Sequence, residues 1–195
     1  MRILCVNQST GSLFTDVVNA FSCAGHEVIL FAGKVQEEGT SLSGEISVVR
    51  GPAYSRKNLA LRLFTWMSFS IIYTGYLIFC KKPDVILAVT NPPLVPPLTW
   101  LIAGIRRIPY CVLVYDLYPE VLVHSRMMNE SSMADRIWRK LNVRVFGSAR
   151  KVFTISHSML EAISLYVDRD KIQVIHNWAD SSYIRPVERK ENPFI

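Results

Sequence analysis

The chain has 195 residues, half of them hydrophobic, enough for one domain with a sizeable core and too apolar for a disordered segment. The formal balance of +6 suits nucleic acid, an anionic membrane surface or phosphorylated ligands, and is also common in plain soluble domains. The four cysteines (Cys5, Cys23, Cys80, Cys111) make no CxxC pair and have no histidine at ligand spacing, so they read as small buried hydrophobes in a reducing compartment rather than as a zinc site.

Ile3–Val6 is an apolar run of strand type, too short for the apolar core of a secretory signal because it breaks at Asn7; a cytoplasmic start is expected. A polar turn follows, 7–12, and then Leu13, Val17, Val18, Phe21 and Ala24 recur at helical spacing. Gly25 closes that helix. Val28–Phe31 and Ile46–Val49 are the next strands, with 34–44 as a loop between them. The long segment 55–80 precedes the strand Val85–Val89. The turn at Asn91-Pro92-Pro93 leads into a helix over Leu94–Ile105. Tyr110–Tyr115 is a strand that ends at Asp116. Met133–Ser148 is an amphipathic helix with Trp138, Leu141 and Val145 on one face and Arg136, Lys140 and Arg144 on another. Val152–Ile155, a helix over His157–Tyr166 and Ile172–Ile175 complete the pattern. Unbroken apolar strands separated by helices imply a parallel sheet covered on both faces, an α/β doubly wound domain of Rossmann type.

Residues 63–80, LFTWMSFSIIYTGYLIFC, carry no charge and are flanked by Arg56, Lys57 and Arg62 before and Lys81 and Lys82 after. The run is near the lower limit for a spanning helix, about 20 residues. A crossing would put the first strands and Val85–Val89 on opposite sides of a bilayer, where they could not share one sheet. A helix buried against the sheet is therefore expected, with Phe64 and Trp66 beside the basic residues in contact with a membrane surface.

In a doubly wound sheet the ligand lies beyond the carboxyl ends of the strands. Four turns there carry candidate chemistry. At Gly11-Ser12 the backbone can approach a phosphate at a helix N-terminus, or Ser12 is simply the helix cap. Asn91 precedes a proline-led helix start, where a bare cap is the plain alternative. Asp116 stands in Tyr115-Asp116-Leu117-Tyr118-Pro119-Glu120, where a carboxylate can bind or deprotonate a sugar hydroxyl, or cap the turn; the functional reading is preferred. Ser156 is a helix cap, and His157 beside it is within reach of a phosphate or is structural. There is no DxD pair, no convincing Ser-His-Asp set, and no interleaving of basic and aromatic residues of the kind nucleic acid requires.

The order of motifs resembles family 4 glycosyltransferases, retaining enzymes of the GT-B fold. Gly25-His26-Glu27-Val28, Lys82-Pro83-Asp84-Val85-Ile86, Asn91-Pro92-Pro93-Leu94, the segment from Pro109-Tyr110 to Asp116-Leu117-Tyr118-Pro119-Glu120, Thr154-Ile155-Ser156 and Val174-Ile175-His176-Asn177-Trp178-Ala179-Asp180 are similar to successive motifs of the subgroup that extends lipid-linked bacterial polysaccharides. The first loop departs from that subgroup by keeping only Gly11, and His176 replaces a hinge proline. The resemblance implies that residues 1–180 are the N-terminal, acceptor-side Rossmann-like domain, and that 181–195 are an interdomain linker with the start of a second domain that would hold the nucleotide sugar. It implies transfer of a sugar from a nucleotide-sugar donor to a polyprenyl-diphosphate-linked saccharide acceptor at the inner face of the cytoplasmic membrane, with no cofactor and no obligatory metal. Asp116 would be the acceptor-side catalytic residue. Gly11, Ser12, Asn91, Tyr118, Glu120, Ser156 and His157 would bind substrate, and Asn177 and Asp180 would form the interdomain hinge. Residues 1–195 alone are expected to be inactive. Two alternatives stand beside this reading: a non-catalytic acceptor-binding and membrane-docking subunit of a two-chain glycosyltransferase, and an unrelated nucleotide- or phosphate-binding α/β protein.

Overall fold

A computed structural model describes residues 1–36, 40–179 and 186–192. Asp180, residues 181–185 of the expected linker and the last three residues, 193–195, lie outside the described residues. Seven parallel strands form one sheet in the order β3-β2-β1-β4-β5-β6-β7. They are β1 (Arg2–Thr10), β2 (Glu27–Val35), β3 (Ser47–Arg50), β4 (Val85–Val89), β5 (Tyr110–Val114), β6 (Val152–Thr154) and β7 (Ile172–Val174). The helices are α1 (Ser12–Cys23), α2 (Leu59–Phe79), α3 (Val95–Arg106), α4 (Glu120–His124), α5 (Met133–Ser148) and α6 (His157–Ile163). The doubly wound α/β architecture read from the sequence is the one observed.

The apolar runs become strands because both faces of the sheet are buried. Alternate side chains separate onto the two faces. Leu4, Val6, Ile86, Ala88, Val112 and Val114 pack with α2, α3, α5 and α6, whereas Ile3, Cys5, Leu87, Val89 and Leu113 face the side of α1. Among the described residues α1 is the single helix on its side, because the chain switches sides where β4 is laid down beside β1. This leaves an apolar groove of about 450 Å³ between α1 and β4 to β6.

The short α4 was not expected from the sequence, β2 runs on through Lys34 and Val35 of the expected loop, and three further features differ from the sequence reading. First, β1 continues through the expected turn to Thr10, with Asn7 paired to Ala32, Ser9 to Lys34 and Thr10 to Val35. Polar side chains in this buried strand, Gln8 and Thr10, find partners for their donors, although the Gln8 side-chain oxygen is buried without one. The Gln8 amide nitrogen donates to the carbonyls of Pro52 (3.1 Å) and Thr65 (2.9 Å). Gly33 permits that approach: a Cβ there would lie 2.3 Å from the Pro52 oxygen.

Second, α2 is not a buried helix. Phe69, Ser70, Tyr73 and Leu77 face the core, but Leu63, Phe64, Met67, Ile71, Ile72, Ile78 and Phe79 are exposed. The buried face is held by Phe31, whose ring meets those of Phe69 and Tyr73 at 5.2 and 5.4 Å, and by a 2.8 Å bond between the Tyr73 and Thr99 hydroxyls. The Arg106 guanidinium donates to the carbonyls of Leu77 and, at 2.9 Å, of Cys80, closing the last turn of α2. Among the described residues no helix is long and apolar enough to cross a membrane.

Third, Cys23 is exposed at the end of α1 instead of buried like Cys5. Burial pushes the Cys5 thiol up to about 12. The C-terminal end of α1 follows its sequence signal. Gly25, at φ 79°, ends α1 in a Schellman turn, with Gly25 N donating to Ser22 O and His26 N to Phe21 O. The two faces read for α5 hold: Val145 is buried, Leu141 packs on the core, and Arg136, Lys140 and Arg144 face solvent.

Candidate functional site

Because every strand is parallel, the turns after β1, β4, β5, β6 and β7 all open on one edge of the sheet. Gly11, Asn91, Asp116, Ser156 and Asn177 stand along that edge in that order. With strands about 4.8 Å apart, Gly11 lies two strand spacings, about 10 Å, from the Asp116 position, and Ser156 about 5 Å from it on the other side. The switch of connection between β1 and β4 opens the crevice in which such sheets bind ligands.

Asp116 is the best-placed carboxylate. Thr90, buried at the end of β4, accepts the backbone N–H of Tyr115 (3.1 Å) and of Asp116 (3.2 Å) on its hydroxyl. That pair fixes the turn and leaves the Asp116 side chain exposed, with no hydrogen bond or ion pair among the described residues. It therefore does not cap the turn. Tyr118 lies beside it. Its hydroxyl pKa is raised by burial first and by the Asp116 carboxylate next, and the nearby Arg62 guanidinium opposes both. The Tyr118 carbonyl accepts from the Asn142 amide at 2.5 Å, which holds the turn onto α5.

Around Tyr118 the structure assembles a cluster that the sequence reading did not place in the site. The Trp66 ring is stacked on Tyr54 (6.2 Å, 11°) and meets Tyr118 edge-on (6.3 Å, 87°), and Tyr118 meets Trp138 at 6.2 Å. The Arg62 guanidinium lies 4.5 Å from the Trp66 ring. Arg62 and Trp66 are four apart on a helix, a spacing that stacks a cation on an aromatic face and was legible in the sequence. Thr90, Tyr54 and Trp138 carried no such signal.

The other expected site residues fall as follows. Gly11 is the cap position of α1 and Ser12 its first helical residue, so Ser12 is not the cap, and no side chain caps the helix. A Cβ at Gly11 would meet nothing closer than 3.6 Å, so packing within the chain does not require glycine there. The Asn91 carbonyl accepts from Gln8 N at 3.2 Å, tying β1 to β4 at the crevice, while its side chain makes no hydrogen bond among the described residues. The cap position before α3 is Leu94, with proline in the first turn. Glu120 is drawn into a structural network: one carboxylate oxygen accepts from Arg139 (2.9 Å) and from the Tyr166 hydroxyl, and Arg139 also pairs with buried Asp135 at 2.9 Å. Ser156 caps α6, accepting Met159 N at 3.2 Å. The His157 ring packs 5.6 Å from that of His176. Asn177 is exposed beside the α1 groove, and next to it Trp178 donates its indole N–H to Asp16 at 2.8 Å, pinning the end of the sheet to α1. Among the described residues no group of His, Cys, Asp and Glu is placed to hold a metal ion.

A wholly parallel, doubly wound sheet with its crevice at the switch between β1 and β4 defines a Rossmann-type domain. Residues 11–183 match the profile of Glycosyltransferase Family 4, and the chain belongs to that family. It is 30% identical over 135 residues to a probable glycosyltransferase, WbjE, of Pseudomonas aeruginosa, a match covering 69% of this chain and 33% of that protein. Solved structures similar in fold include HepE of Anabaena in complex with UDP (TM-score 0.52, 15% identity, 92% of this chain and 45% of that one). A sucrose-phosphate synthase of Thermosynechococcus elongatus has TM-score 0.54 at 12% identity, covering 92% of this chain and 91% of that one. The Arabidopsis thaliana UGT89C1 complexed with UDP-L-rhamnose has TM-score 0.56 at 11% identity, covering 90% of this chain and 48% of that one. The chain thus spans about a third of the curated relative it matches and about half of two of these three structures.

Proposed function

We propose that this chain is the acceptor-side half of a retaining glycosyltransferase that moves a sugar from a nucleotide sugar to a hydroxyl of a polyprenyl-diphosphate-linked saccharide in surface polysaccharide assembly. Residues 1–180 form the acceptor domain and 181–195 lead toward a donor-binding domain. The observation that carries this reading is the Asp116 carboxylate, free at the end of a central strand and held in place by Thr90. A free carboxylate there accepts a hydrogen bond from an acceptor hydroxyl and assists its deprotonation as the glycosidic bond forms. Gly11 and Ser12 expose the unfilled N–H groups of α1 toward the donor diphosphate, as the UDP complexes of similar fold make reasonable. Asn91, Tyr118, Ser156 and His157 line the same edge as further substrate contacts, Glu120 acts by holding α4, and Asn177 with Asp180 forms the hinge.

The exposed apolar face of α2 gives the acceptor its setting. Phe64, Met67, Ile71 and Ile72 lie on one helix between Arg56, Lys57 and Arg62 at its start and Lys81 and Lys82 beyond its end. Such a helix lies in the plane of an anionic membrane, apolar side down.

Co-sedimentation of the chain with anionic liposomes, with and without a polyprenyl-diphosphate-linked sugar, tests both parts. Salt-sensitive binding that the lipid-linked sugar strengthens, with only the sugar-dependent increment lost in Asp116→Ala, is the expected result. Equal binding with and without the lipid-linked sugar overturns the acceptor assignment.

A further inference from the structure

We infer that the cavity between α2 and α4 is a slot for the first isoprene units of the acceptor lipid, with Arg62 beside it to hold the adjoining phosphate. The inference rests on the lipid-linked acceptor proposed above and adds where its lipid enters. The cavity has a volume of about 220 Å³ and walls of Leu63, Trp66, Met67, Leu94, Leu122 and Met127. It is smaller than the roughly 300–1,000 Å³ typical of sites that enclose a whole ligand. It therefore admits a short segment of a longer molecule. Its lining is apolar and aromatic, which suits a branched hydrocarbon and not a sugar. Arg62 is the one charged residue that lines it.

Three observations choose the occupant. Leu63 and Met67 line the cavity and are also about half exposed on α2, so a chain leaving the slot passes onto the apolar face of that helix without crossing water. Arg62 Nε and the Trp66 indole nitrogen are buried beside the cavity with no hydrogen-bond partner, two unmet donors on residues that line it, and the guanidinium that carries one of them suits a phosphate. The slot also shares Pro93, Tyr118 and Trp138 with the small pocket that contains Asp116. Apolar slot, cation and carboxylate thus follow one another in the order in which a polyprenyl diphosphate sugar carries its tail, its phosphates and its hydroxyls.

Farnesyl diphosphate is the soluble probe, with inorganic diphosphate and farnesol as the two half-ligands, all measured by titration calorimetry. Farnesyl diphosphate is expected to bind about tenfold or more tighter than inorganic diphosphate, because burying even two methylenes contributes that factor. Met127→Trp fills the slot from an exposed position and Leu63→Gln makes its wall polar without adding charge beside Arg62; each should remove the farnesyl advantage and leave inorganic diphosphate unchanged. Arg62→Met should weaken both diphosphates and leave farnesol unaltered. Farnesyl diphosphate binding no tighter than inorganic diphosphate, or binding that survives both slot variants, overturns the assignment. The acceptor reading fails separately: if Met127→Trp still shows the full Asp116-dependent sedimentation with lipid-linked sugar, the slot is wrong and the acceptor site stands. Tight farnesyl diphosphate binding that Met127→Trp removes, with no sugar-dependent sedimentation in the unaltered chain, supports the slot and removes the acceptor site.

Discussion

Thr90→Val separates the positioning of Asp116 from its chemistry. The substitution keeps the shape of the side chain and deletes one oxygen, which accepts two backbone N–H groups at 3.1 and 3.2 Å. A buried donor left without a partner costs about 1–3 kcal/mol. Both hydrogen bonds are only partly buried, so a combined loss of about 2 kcal/mol is expected. For a chain of this size that corresponds to a fall in Tm of about 4–8 °C. The released turn carries Asp116 and Tyr118, so sugar-dependent liposome binding should fall along with it, while membrane binding through α2 stays constant. Thr90→Ser keeps the oxygen and should recover most of the sugar-dependent binding. Differential scanning calorimetry and the sedimentation assay read the two effects. If Thr90→Val melts like the unaltered chain and retains the sugar-dependent increment, Thr90 does not position Asp116.

Three further outcomes are expected. Arg139→Met leaves the partly exposed Glu120 carboxylate and the buried Asp135 carboxylate without their cation and should cost about 3 kcal/mol in urea unfolding; an unchanged midpoint would remove the network as a stabilising feature. Phe64→Glu with Ile71→Glu places two carboxylates on the exposed face of α2 and should abolish liposome binding without shifting Tm, because both positions are solvent-facing; retained binding would exclude that face as the membrane contact. At pH 8 iodoacetamide should modify Cys23 within minutes and leave Cys5 unmodified in the native state, read by mass spectrometry. The sign follows from burial: the Cys5 thiol is pushed up to about 12, so the fold favours its protonated form, and that contribution is present at neutral pH and lost only as pH rises past the free thiol range, about 8.5 and above.

The class of fold was legible because it depends on short-range pattern. Unbroken apolar runs such as Val85–Val89 and helical runs such as Met133–Ser148 report their own burial, and alternation of the two defines a parallel, doubly wound sheet. The turns after the strands could also be named as the site, since parallel strands put all of their carboxyl ends on one edge. Asp116 could be chosen from sequence for the same reason. The face of α2 that stays exposed could not be chosen, because a helix of nearly uniform apolarity has no period to show which side meets the sheet. Nor could the strand over 7–10, since polar side chains mark a turn locally, and the Gln8 amide nitrogen finds its acceptors only on Pro52 and Thr65, distant in sequence.

What the sequence determined by itself is therefore the alternation of strands and main helices, the edge of the sheet that carries the candidate site and the carboxylate that stands there. Tertiary structure decided how side chains from other segments come together around it. Arg62, Trp66, Tyr118 and Trp138 converge from three separate segments, and Glu120, a neighbour of Asp116 in the chain, is turned away into an ion pair with Arg139. Local pattern carries burial and periodicity; it carries no information on contacts between segments, which closing the chain around the sheet sets.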